Sequence, residues 1–104
     1  LSTDRRIELY LTILSFMRRS SFVGSVQAKA IPGWMAMLND RLTIDYYSIG
    51  ETLFALNHGI EAISIKEKID PDSPDLARSY GHIAGILFHI NFQDALRYYQ
   101  LALG

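Results

Sequence analysis

The sequence contains no cysteine. That absence removes disulfides, thiolate metal sites and cysteine nucleophiles together, and it leaves the redox compartment open; the cytoplasm is the expected setting. The chain also lacks an excess of either charge, with 10 basic residues against 11 acidic ones and a formal net charge of −1. Without a positive field, neither nucleic acid nor an anionic membrane surface is an expected partner. No run approaches the roughly 18 uninterrupted apolar residues of a membrane span, and the opening Leu1-Ser2-Thr3-Asp4-Arg5-Arg6 does not read as a secretory signal. The first residue is not Met, as expected of a segment of a longer protein.

What is present describes an ordinary globular chain. At 104 residues, with 49% apolar and 20% charged side chains, it can bury one modest core but not two, so one structural domain is expected. Apolar residues recur on a three-to-four-residue beat, which points to helices throughout. Asp4 as N-cap and Ile7, Tyr10, Leu11, Leu14 and Met17 predict a first helix over about 4–19. The run Ser20-Ser21-Phe22-Val23-Gly24-Ser25 reads as a break, followed by a short segment to Ala30. Pro32 then starts another short helix with Trp34, Met37 and Leu38 on its inner face.

An internal repeat follows. With an offset of 34 positions, Leu42 falls on Leu76, Tyr46 on Tyr80, Ile49 on Ile83, Leu53 on Leu87, Phe54 on Phe88 and Asn57 on Asn91, while Gly50 falls on Ala84. The spacing predicts one apolar helix stripe in each unit, ending near the matched Asn. A second helix follows each stripe, over about 59–69 with Ile60, Ala62, Ile63, Ile65 and Ile69, and over about 92–103 with Phe92, Ala95, Leu96, Tyr98, Tyr99 and Ala102. The linker Asp70-Pro71-Asp72-Ser73-Pro74-Asp75 holds residues that stop one helix and cap the next. Helical hairpins repeating at this period are the signature of a solenoid.

These residues resemble the tetratricopeptide repeat family. Ser73-Pro74-Asp75-Leu76-Ala77, Tyr80, Ile83-Ala84, Leu87, Phe92-Gln93-Asp94-Ala95-Leu96, Tyr99 and Ala102-Leu103 look like the repeat variety found in kinesin light chains. The resemblance implies an all-α fold of tandem antiparallel helical hairpins, an α-solenoid segment. Residues 42–104 would hold two repeats, about 42–69 and 74–103, and residues 1–41 a divergent N-terminal helical cap. It implies close helix approach at Gly50 or Ala84 and at Ala62 or Ala95. The chain departs from the family in its inter-helix turns, where residues around Asn57-His58 and His89-Ile90-Asn91 replace the usual glycine. Gly81 and His82 also replace the asparagines with which kinesin-light-chain repeats grip peptide backbone.

The function the resemblance implies is that of a protein-protein interaction module, an adaptor or scaffold segment binding a peptide or helix of a partner protein. Tyr47, Glu51, Phe54, Arg78, Phe88 and His89 would line its concave face, with Gly81 and Gly85 opening the groove floor. The alternative is an oligomerisation or interdomain module of a larger regulatory protein, homodimerisation included. Catalysis is not expected, nor is a cofactor. His82 and His89 are too far apart along a helix to share a metal, Pro71 and Pro74 interrupt any calcium-loop pattern in the Asp70–Asp75 run, and no phosphate loop or nucleophile elbow occurs. Arg18-Arg19-Ser20-Ser21 resembles a basic-directed phosphorylation site, although arginines at a helix C-terminus account for the same residues.

Overall fold

The structure, a computed structural model, describes residues 2–20 and 30–104. Among these the chain is all-helical: α1 (Thr3–Ser20), α2 (Ile31–Ser48), α3 (Thr52–Ile69), α4 (Pro74–Leu87) and α5 (Phe92–Leu103). The break expected over Ser21–Ser25, the segment after it and Ser21 of the phosphorylation pattern lie outside the described residues.

Local chemistry sets the boundaries. Ser2, rather than the expected Asp4, caps α1: its hydroxyl accepts from the Arg5 N–H at 3.3 Å. Pro32 stands in the first turn of α2, where its missing N–H costs nothing. This helix continues past the expected boundary at 41/42, so the first repeat does not begin a new helix at Leu42.

The helix ends at Gly50, whose φ of +82° only glycine adopts without strain. The Gly50 N–H donates to the Tyr47 carbonyl at 3.1 Å and the Glu51 N–H to the Tyr46 carbonyl at 2.9 Å, the crossed pair of bonds of a Schellman cap. The stripe expected to run unbroken from Leu42 to Asn57 is therefore split between α2 and α3. Gly50 is the turn glycine thought to be missing, and Asn57 sits inside α3.

The second hairpin follows its expectation closely. Ser73 caps α4, accepting from the N–H groups of Asp75 and Leu76 at 3.1 and 3.3 Å, with Pro74 next to it. Asn91 caps α5: its Oδ1 accepts from the Asp94 N–H at 3.2 Å while its Nδ2 donates to the Asp94 carboxylate at 2.9 Å. The Asn91 backbone N–H is taken by the Leu87 carbonyl at 2.8 Å, so the cap is the Asn91 side chain alone, braced by Asp94.

Each helix packs chiefly on its neighbours in sequence. The Cα envelope measures 42 × 33 × 18 Å, less than half as thick as it is long, so the helices form a row rather than a bundle around one axis. Two clusters hold the row together. Ile7 and Leu14 of α1 meet Leu38 and Leu42 of α2; Ala55, Leu56 and Ile63 of α3 meet Leu76, Ile83, Ile86 and Leu87 of α4 and Ala95 of α5. Tyr46 packs against both clusters. Trp34 and Met37, expected on the inner face, are 44% and 46% exposed, whereas Leu38 is buried as expected.

At Gly59 of α3 neighbouring helices leave no room for a side chain. A Cβ there would stand 2.3 Å from Ile83 Cδ1 of α4 and 3.3 Å from the Thr43 hydroxyl of α2. Ala62, Ala84 and Ala95 are fully buried, whereas Gly50 serves the turn.

Candidate functional site

The three-residue turn at 49–51 and the four-residue connection at 70–73 each reverse the chain, so α2 and α4 run in the same direction on either side of α3. Where they face each other they leave an open groove of about 470 Å³, lined by Thr43, Ile44, Tyr47 and Ser48 from α2 and by Gly81, His82, Gly85 and Ile86 from α4. This volume falls within the ~300–1,000 Å³ of ligand clefts. Its walls are almost wholly carbon, with Ile44 58% and Tyr47 48% exposed to solvent. A Cβ at Gly81 or Gly85 would meet nothing within 4 Å. Each glycine in a helix interior costs about 1 kcal/mol relative to alanine, and no neighbour among the described residues accounts for either one.

Of the six residues singled out in the sequence, Tyr47 lines this groove. Arg78 stands one helical turn before Gly81 and is paired with Asp75 at 3.4 Å on the surface. Glu51 lies in the α2–α3 turn, and Phe88 and His89 follow the end of α4; the direction of the helices puts both turns along the same edge of the row. Phe54 stacks on Tyr46 with ring centroids 5.3 Å apart, and Phe88 meets His89 and Phe92 edge to face at 5.0 and 5.3 Å. The two phenylalanines thus cover neighbouring rings on separate hairpins.

Below the groove lies a polar node that sequence reading missed. Lys66 of α3 is 7% exposed, and its ammonium donates to Asp40 of α2 and to Ser79 of α4 at 2.8 Å, with Asp75 at 2.9 Å. The hydrogen bond from Lys66 holds the Asp75 carboxyl below its ordinary value of 3.8. Three helices are tied through one cation, whose burial is tolerable because two carboxylates and a hydroxyl surround it. A lysine at the position where the Ala62, Ile63 period calls for an apolar residue was the available signal.

A second node ties α2 to α3. Asn39, fully buried, donates from Nδ2 to the Met35 carbonyl at 3.0 Å, so its Oδ1 accepts from His58 Nδ1 at 2.8 Å and fixes the Nδ1–H tautomer. The imidazole stacks on Tyr46, 5.5 Å between centroids. Burial pushes the His58 pKa down, against the attraction of Glu61 and with the repulsion of Arg18. Glu61 in turn accepts two hydrogen bonds from Arg18 of α1, at 2.8 and 3.0 Å, and Asp45 of α2 accepts from Arg6 at 3.1 and 3.2 Å. The first helix is clamped near both ends. Among the described residues no buried side-chain nitrogen or oxygen lacks a partner, no three metal-ligating side chains cluster, and no helix is long and apolar enough to cross a membrane.

Compared with protein-family models, with curated proteins and with solved structures, the chain returned no significant match.

Proposed function

We propose that this chain is a helical-repeat interaction module, a tetratricopeptide-like solenoid segment that binds a peptide or helix of a partner protein between α2 and α4 and catalyses no reaction. The observation that carries the reading is the apolar groove whose floor holds two helix-interior glycines with open space above them. Glycine there sacrifices helix stability for backbone accessibility. Adaptor and scaffold roles follow from a rigid row of helices that presents such a surface.

The test compares partners recovered by the chain and by its Gly81→Leu variant. Since nothing occupies the space above Gly81, the variant should fold as well as the parent, which circular dichroism checks. A partner retained by the parent and lost by Gly81→Leu supports the groove; an identical set of partners removes it.

A second reading is supported by α5. This helix fully buries only Ala95, while Phe92, Leu96 and Leu103 remain 53%, 45% and 90% exposed on one face. That surface suits oligomerisation, homodimerisation included, or docking of a further domain of a larger regulatory protein. Mass by light scattering across a concentration range separates the two: a dimer broken by Leu96→Glu favours the second reading, a monomer throughout favours the first.

A further inference from the structure

The groove has two dissimilar ends. Because α2 and α4 are parallel, the residues one turn before its lining share one end: Asp40 from α2 and Arg78 from α4, with Arg41 of α2 set toward α1, where it lines a cleft with Arg6, Tyr10, Ile44 and Asp45. One turn beyond it, at the opposite end, are Glu51 and His89. At the first end the carboxylates of Asp40 and Asp75 turn inward onto Lys66. Arg78, with a side chain 67% exposed, retains only the surface pair with Asp75 at 3.4 Å. Exposed pairs of this kind are weak and easily redirected. His82 stands in the groove wall between this arginine and the far end.

The floor restricts the shape of an occupant. Gly81 and Gly85 are four apart, hence on one face of α4, with nothing within 4 Å of where their Cβ atoms would be. Removing both side chains from one ridge lets a second helix approach closer than the usual ~8–10 Å between axes. Ile44 and Tyr47 on one side and Ile86 on the other then offer carbon surface to its aliphatic side chains.

Building on the proposal that this groove binds a partner, we infer that its occupant is an acidic amphipathic helix. It lies on the Gly81–Gly85 ledge, places aliphatic residues against Ile44, Tyr47 and Ile86, and directs a carboxylate to Arg78. Helix-in-groove recognition of this kind draws its affinity from buried aliphatic anchors, and the charges select among helices of similar apolar face.

The experiment titrates the 15N-labelled chain with three helical peptides of about 16 residues, long enough to hold a helix. They share one leucine face and carry glutamates, lysines or glutamines opposite it. The glutamate peptide should shift the Gly81 and Gly85 amide resonances and bind about fivefold tighter than the lysine peptide, since one exposed attraction replaces one exposed repulsion. Arg78→Glu should reverse that order, and Gly85→Leu should abolish binding of all three with a thermal midpoint no lower than the parent's. Lysine or glutamine peptides binding as tightly as the glutamate peptide, with shifts at both glycines, would overturn the acidic assignment and leave the groove standing. No shift at either glycine with any peptide at millimolar concentration would overturn the groove reading as well. A dimer of the free chain that Gly85→Leu converts to monomer would assign the groove to a second copy and overturn the inference.

Discussion

At the residue scale, glycine does three different jobs here, and the expected effects of alanine differ in sign. Gly50→Ala forces a side chain into the left-handed region and should destabilise by about 1–2 kcal/mol. Gly59→Ala places its Cβ 2.3 Å from the buried Ile83 and should cost about 1–3 kcal/mol, reduced in part by the gain in helix propensity. Gly85→Ala meets nothing and should stabilise by about 0.5–1 kcal/mol. Urea unfolding of the three variants measures all of them. Titration separates the two polar nodes. Asp75 has a depressed pKa, so its contribution is complete above its ordinary 3.8 and disappears as pH falls through the native value. Removing both its carboxylate and that of Asp40, as Asn, strands the Lys66 ammonium and should cost about 2–3 kcal/mol at neutral pH. His58 acts in a higher window: its native pKa lies below 6.5, so the unfolded chain binds more protons there and stability falls as pH drops through that range. His58→Gln should flatten the slope of thermal midpoint against pH just below 6.5, while the loss below pH 3.8 remains.

At the element scale, caps explain which parts of the fold could be read in advance. The α4–α5 hairpin was legible because Ser73-Pro74 and Asn91-Phe92-Gln93-Asp94 announce helix starts through side-chain acceptors, which local sequence alone determines. Ser73→Ala should cost about 1 kcal/mol of stability by thermal unfolding, since two N–H groups lose their acceptor. The α2–α3 hairpin was misread for a related reason. A 34-residue self-match aligned Gly50 with Ala84 as two small packing residues, but apolar spacing does not distinguish a helix that continues from one that reverses at a glycine. After the turn the matched pairs diverge: Leu53 is 74% exposed where Leu87 is buried, and Ile49 is 44% exposed where Ile83 is buried. Tyr47 and the glycine ledge were named in advance from the geometry that the family resemblance implies, with the four-residue spacing of Gly81 and Gly85 putting both on one face. Ile44 and Thr43 were not, because choosing the face of α2 that meets the groove requires knowing where α4 packs. Lys66 and His58 were hidden for the same cause, as their partners lie on other helices.

At the scale of the whole molecule, the helices form a row with two unlike ends. The outer face of α1 exposes Leu9 and Phe16, that of α5 exposes Phe92, Leu96 and Leu103, and a flat row with apolar ends is prone to extend by stacking. Leu96→Glu should therefore raise the concentration at which the chain remains monodisperse, read by light scattering, without lowering its thermal midpoint by more than about 0.5 kcal/mol equivalent. The clamping of α1 by Arg6–Asp45 and Arg18–Glu61 makes attachment of that helix sensitive to salt, since both pairs reach the surface. The row itself has a consequence in time. Because each helix packs chiefly on the one before and the one after it, most native contacts close short loops, and the chain meets its partners before much entropy has been spent. The main refolding phase after rapid dilution from urea should fall within microseconds to milliseconds, far faster than a sheet protein of this length would manage.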